Sequence, residues 1–128
     1  MRVEHIALQV ADPIALADWY VKHLGFTIAR KGTGPSLAHF MADGAGHTVF
    51  EFYHNQAAPV PDYPAMSTVT LHLAFHSDDL PSTRDQLLAA GATLVENVTT
   101  SAKGDQLAML RDPWGIPLQL IKRAIPLL

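Results

Sequence analysis

Four side chains able to bind a divalent metal recur at matching places in the two halves of this sequence. His5 lies in VEHIALQV and His72 in VTLHLAF, while Glu51 follows in TVFEFY and Gln119 in IPLQLI. Glu51 comes 46 residues after His5, and Gln119 comes 47 after His72. Two imidazoles, a carboxylate and an amide oxygen are the donors from which mononuclear metal sites are built. A repeat supplying one such pair per half can close four ligands around one ion. The chain has no cysteine, so thiolate sites, disulfides and cysteine nucleophiles are excluded. A lone histidine on a strand is more often a half-buried or solvated polar residue. It is the repetition of all four positions that favours ligation. Glu51 also stands among Val49, Phe50, Phe52 and Tyr53, where a carboxylate is costly unless paired or bound to a cation.

The elements that must position these residues repeat as well. Val3 to Val10 alternates, with Ile6, Leu8 and Val10 against His5, Ala7 and Gln9, which predicts a strand. Asp12-Pro13 starts a helix through a capping side chain and a pre-set first turn. Leu16, Tyr20 and Leu24 recur along it, and Gly25 ends it. Strands are expected over 26–30, 37–41 and 47–53, with a turn at Asp43-Gly44. Pro59, Pro61 and Pro64 then mark a surface linker. The order restarts with a strand over 69–75. Asp78 or Asp79 opens a second helix, which carries Leu80, Leu87 and Leu88 and stops at Gly91. Strands over 93–98, 106–111 and 117–122 complete it, the last two joined by Asp112-Pro113-Trp114-Gly115.

Each half therefore reads β-α-β-β-β, and internal repetition is itself evidence about fold. The expectation is an α+β fold, a single domain over 1–128. Its repeat modules, 1–55 and 67–124, are joined by a Pro-rich linker, 56–66. One helix shields only one face of a sheet. The modules should thus form a concave mixed sheet with the helices outside. Parity places His5, Glu51, His72 and Gln119 on the concave face.

With 128 residues, 48% hydrophobic and 16% charged, the chain suits one domain with a real core. A net charge of −3 points to neither nucleic acid nor an anionic membrane as partner. The sequence begins on a strand-like pattern without a basic-then-apolar leader, and no apolar run approaches the roughly 20 residues that span a bilayer. A soluble cytoplasmic protein is the expectation.

The arrangement resembles the vicinal oxygen chelate superfamily, which includes glyoxalase I, fosfomycin-resistance proteins, bleomycin-binding proteins, extradiol dioxygenases and methylmalonyl-CoA epimerase. HIALQVADPIALADWYVKHLGF is similar to its opening strand, helix and Leu-Gly-Phe turn, LHLAFHSDDL to its second opening, and RDPWGIPLQLIKR to its closing Asp-Pro-x-Gly hairpin. The resemblance covers nearly the whole chain. It implies one divalent ion (Ni, Co, Zn, Mn or Fe) on His5, Glu51, His72 and Gln119. Gln119 departs from the pattern, since Glu is usual there. The change removes one negative charge, which should weaken affinity and leave the ion more Lewis-acidic. The implied activity is a glyoxalase-like lyase or isomerase acting on a small oxygen-chelating substrate through an enediolate-like intermediate. An amide cannot accept the proton, so the base falls to Glu51. Two other readings stay open: an extradiol-type dioxygenase using Fe(II), and a drug-binding resistance protein without catalysis. Members generally pair, and a homodimer is expected.

Candidate substrate-binding residues are Gln9, Asn55, Lys103 and His76. Asn55 and Lys103 resemble glutathione-contacting positions of bacterial glyoxalase I, and Gln9 stands where some members carry Arg. His76 shares the stripe of His72, although a strand-end surface histidine is the plainer reading. His39, His47 and His54 are also read as surface histidines. Trp19 and Tyr20 are read as helix packing, Trp114 as cover for an edge, and Asp112 and Pro113 as turn residues.

Overall fold

Alternation, capping and turn chemistry give each half of the chain the same run of elements. The first half holds β1 (Ile6–Gln9), α1 (Pro13–Leu24), β2 (Thr27–Lys31), β3 (His39–Ala42) and β4 (Val49–Tyr53). The second holds β5 (Leu73–His76), α2 (Leu80–Ala89), β6 (Thr93–Thr100), β7 (Gln106–Arg111) and β8 (Pro117–Lys122). The computed structural model describes residues 1–47 and 49–127. Thr48, within the strand expected over 47–53, lies outside the described residues. The chain divides into two compact units, Met1–Pro61 and Asp62–Leu128, and their boundary falls inside the Pro-rich stretch. Among the described residues no helix is long and apolar enough to cross a membrane.

Both helices begin as their sequences dictate. Asp12 accepts the Ala15 N–H at 3.0 Å and Pro13 occupies the first turn. Asp79 does the same for Ser82 at 3.0 Å, which decides between the two candidate caps. Gly25 closes α1 in the left-handed region, at φ 70°, where glycine carries no Cβ penalty. Leu16, Ala17 and Tyr20 are buried against the sheet with Met41, Phe50 and Phe52. The Tyr20 ring meets Phe52 edge-on, with centroids 4.9 Å apart, a favoured aromatic geometry. In the second unit Leu80 and Leu87 of α2 are buried, as are Leu110, Leu118 and Leu120 of its sheet.

The two sheets have the same topology. Strand orders are β1-β4-β3-β2 and β5-β8-β7-β6. In each the first strand runs parallel to the last, and the remaining pairs are antiparallel. The parallel registers set Ala7 against Glu51 and Ala74 against Gln119. Successive side chains on a strand point to opposite faces. Phe50 and Phe52 therefore turn to the helix, and Glu51 turns to the other face of the sheet.

Strand starts differ from the sequence reading. β1 begins at Ile6 rather than Val3, and β5 at Leu73 rather than Val69. Val69 and Thr70 alternate correctly but belong to a turn. The Ser67 carbonyl accepts the Thr70 N–H at 3.0 Å, and its hydroxyl accepts that of Val69 at 3.2 Å. β3 begins at His39 because Leu37 lies in the left-handed region, at φ 51°, which ends extended pairing. β6 runs on to Thr100.

The closing turn has one position open to glycine alone. Asp112 accepts the N–H groups of Trp114 and Ile116 through one carboxylate oxygen, each at 2.9 Å. Gly115 sits at φ 88°, and a Cβ there would come within 2.5 Å of Pro64 Cγ. Gly115→Ala should cost about 2 kcal/mol or more, from left-handed strain plus overpacking. A denaturant melt checks this, and an unchanged midpoint would contradict it.

Candidate metal centre

The parallel registers give the four expected ligands two corresponding pairs of positions, and the first pair is in contact. His5 lies just before β1, two residues from Ala7, and Ala7 faces Glu51 across the sheet. His5 Nε2 is 3.3 Å from Glu51 Oε2. The Glu51 side chain is 21% exposed, on the face turned away from α1. Phe40, paired with Glu51, meets the His5 ring edge-on at 5.8 Å and gives that contact an apolar wall. In the second unit His72 lies just before β5, two residues from Ala74, and Ala74 faces Gln119. His72 and Gln119 thus hold the positions of His5 and Glu51 in an identical frame. Among the described residues, no group of three or more His, Asp or Glu side chains gathers about one point.

Each imidazole is also gripped from behind. His5 Nδ1 contacts the Glu4 carboxylate, and His72 Nδ1 lies 2.9 Å from the Thr68 carbonyl oxygen. Both partners can only accept, so Nδ1 carries the proton and Nε2 of a neutral ring presents its lone pair. Metal-bound histidines are oriented in just this way, by a carboxylate or carbonyl on the second nitrogen. The His5–Glu51 spacing passes a further test. Two ligands each about 2.1 Å from one ion and about 100° apart stand about 3.2 Å from each other. A lone pair beside a carboxylate oxygen is an arrangement that a cation satisfies, and the donor set fits a divalent first-row metal.

In the protonated state the same contact is an ion pair. The hydrogen bond to Glu4, with the charges of Glu4 and Glu51 behind it, holds the His5 imidazole above the usual histidine range against an opposing effect of desolvation. The same hydrogen bond holds the Glu4 carboxyl below its usual range. Any stability His5 lends the fold is therefore present at low pH and fades as pH rises through its raised value.

The candidate substrate residues fall in several places. Gln9 is buried and clamps the chain after β4. Its Nε2 donates to the carbonyls of Asn55 at 2.7 Å and Ala58 at 2.9 Å, and its Oε1 accepts the Asn55 N–H at 2.9 Å. Asn55 in turn accepts the Ala57 N–H at 2.9 Å. With Pro35, Ser36, His54 and Gln56 it lines a hollow of about 250 Å³. Lys103 is exposed in the β6–β7 turn, between Ser101 and Asp105. His76 lies 3.2 Å from Asp78 Oδ1. It also lines a cavity of about 340 Å³ with Ala74, Ile121, Arg123, Pro126 and Leu127.

Several site features escape a reading of the sequence. Glu4 is adjacent to His5, and its acceptor could have been noticed there. The Thr68 carbonyl leaves no trace in residue type. Pro126 and Leu127 follow no period. His39 is corrected: it is buried at 6% exposure, not a surface histidine. It pairs with Phe52 on the helix-facing side, and the Leu37 carbonyl satisfies its Nδ1 at 2.7 Å.

The sequence profile of the glyoxalase/bleomycin resistance protein/dioxygenase superfamily matches residues 2–120. The chain belongs to this superfamily. Nothing matches among curated proteins. Solved structures with this fold include a glyoxalase family protein from Bacillus cereus (16% identity, 94% of this chain and 93% of that one, TM-score 0.78). A glyoxalase I mutant from Zea mays is similar over 97% of this chain and 46% of that one, at 21% identity and TM-score 0.75. TnmS3, an antibiotic binding protein from Streptomyces sp. CB03234, is similar over 97% and 99%, at 19% identity and TM-score 0.71.

The Glu4 contact can be tested alone. Glu4→Gln should lower the His5 pKa towards the ordinary histidine range, read by an NMR titration of its ring protons. An unchanged titration would show that Glu4 is not the cause.

Proposed function

We propose that this superfamily member is a metal-dependent lyase or isomerase of the glyoxalase type. His5, Glu51, His72 and Gln119 would hold one divalent first-row ion, and Glu51 would move the proton. The observation that carries the reading is the His5–Glu51 pair: 3.3 Å between Nε2 and Oε2, with Nδ1 held from behind by Glu4. The repeat of its frame at His72 and Gln119 supports a single shared ion. A bound ion supplies a Lewis acid for two adjacent substrate oxygens.

The protein's own part is positioning and proton transfer. Glu51 is the one carboxylate in the set. It is half-buried beside Phe40 and able to take a proton from a carbon next to a carbonyl. The amide of Gln119 can lend its oxygen but cannot act as base. Gln9 fixes the 55–58 turn, so Asn55 is presented in one conformation to a substrate. Assembly as a homodimer, common in the superfamily, belongs to this proposal.

A second reading has its own observation. The cavity at His76 is walled largely by Ala74, Ile121, Pro126 and Leu127, which suits an apolar ligand held without chemistry. TnmS3, named as antibiotic binding, has this fold.

One set of measurements separates the readings. The metal-loaded protein should turn over the methylglyoxal–glutathione hemithioacetal. Glu51→Gln should cost about 10²–10⁴-fold in turnover, and Gln119→Ala distinctly less. His72→Ala should abolish stoichiometric metal binding by calorimetry, and Gln119→Glu should tighten it by restoring a second negative charge. Full occupancy in His72→Ala would remove the metal assignment. Oxygen uptake with catechols under Fe(II) would select the dioxygenase reading. Tight binding of an apolar drug without metal, and no turnover, would select the sequestering one.

A further inference from the structure

We propose that Arg111 is the positioning residue for His72, acting through a strap of chain, 62–68, that it pins to the closing turn. The inference rests on reading His72 as a metal ligand and adds a residue that this reading does not assign.

Arg111 ends β7 and makes three hydrogen bonds to backbone carbonyls. Nη1 donates to Tyr63 O at 2.8 Å and to Gly115 O at 3.0 Å, and Nη2 donates to Met66 O at 2.7 Å. One planar group thus ties the strap to the 112–115 turn at two points. The fork geometry of a guanidinium permits this, whereas the single nitrogen of a lysine does not. The strap is also locked from within. The Met66 N–H donates to Asp62 O at 3.0 Å and Tyr63 O at 3.1 Å, and the Ala65 N–H donates to Asp62 Oδ1 at 3.1 Å. Tyr63 is buried. Pro64 lies where a Cβ on Gly115 would be, so strap and turn are in contact.

The strap leads directly to the ligand. Two residues beyond Met66, the Thr68 carbonyl accepts a hydrogen bond from His72 Nδ1 at 2.9 Å. Ser67 holds the turn between them through Val69 and Thr70. Thr68 can face His72 only while the chain entering the turn is fixed, and Arg111 fixes it. His5, by contrast, is held by the side chain of its neighbour Glu4 and needs no strap. The two halves therefore orient equivalent histidines by different devices, and His5 serves as an internal control.

The test uses the full chain without metal, as wild type, Arg111→Lys and Arg111→Met. Long-range nitrogen–proton correlation spectra of the histidine rings report which nitrogen bears the proton. Wild-type His72 should be in the Nδ1–H form. Both variants should move it towards the Nε2–H form that an unconstrained imidazole prefers, with the His5 signals unchanged. A zinc or cobalt titration should then show affinity lowered about 10–100-fold, the usual effect of losing an outer-shell partner. A merely structural staple would lower the melting temperature and leave the His72 tautomer alone. That result, in a folded variant, overturns the proposal. If Arg111→Met does not fold, Arg111→Lys, which keeps the charge and part of the bonding, decides. Failure of the wild type to bind metal would overturn the reading of the site, but the tautomer shift would still judge the role of Arg111.

Discussion

The pairing of the first strand of each unit with its last, in parallel, is the constraint on which the site depends. It places β1 beside β4 and β5 beside β8, and its register sets Ala7 against Glu51 and Ala74 against Gln119. Parallel neighbours cannot be joined by a tight turn. Each unit therefore needs the helix and the two antiparallel strands that lie between them in sequence. A slip of one residue in either pair would turn Glu51 or Gln119 towards the helix and bring Phe or Leu to the outer face. Phe52, buried against Tyr20, and Phe50, buried beside Phe26, oppose that slip, as do Leu118 and Leu120 in the second unit. The core that stabilises the fold is also what holds the candidate ligands in register.

Given that frame, what remains is orientation of the imidazoles, and each unit solves it separately. His5 is gripped by a carboxylate from the adjacent residue, which also raises its proton affinity. His72 is gripped by a neutral carbonyl in a turn stabilised from a distance. A carboxylate behind a ligand makes it a stronger donor than a carbonyl does. The two halves share a topology but not an electrostatic character. The half with the Glu4 support also holds the carboxylate of the candidate set, Glu51, while the second half offers a carbonyl-supported imidazole and an amide.

Much of this was legible in residue order because it depends on local chemistry. Asp12-Pro13 and Asp79 cap their helices, Gly25 ends one, and Asp112 to Gly115 makes the turn the sequence implies. The alternation about Glu51 and Gln119 puts both on the sheet face opposite the buried Phe50, Phe52, Leu118 and Leu120. What failed was extrapolating alternation past its limit. Val69 and Thr70 fit a strand by period, yet the hydroxyl and carbonyl of Ser67 draw them into a turn. His39 looks like any strand-end histidine, and only its pairing with Phe52 shows it to be buried. The contacts of Arg111 go to backbone carbonyls, which carry no residue identity, so no inspection of the sequence could find them.

In the proposed centre, imidazoles from both halves of the repeat would bind one ion. X-ray absorption of the nickel- or cobalt-loaded protein at one ion per site tests it most directly, because imidazole rings give a distinct multiple-scattering signal. Two imidazoles per ion with the remaining ligands oxygen, at about 2.0–2.2 Å, is the result expected here. An ion coordinated by oxygen alone, or by a single imidazole, would contradict the account.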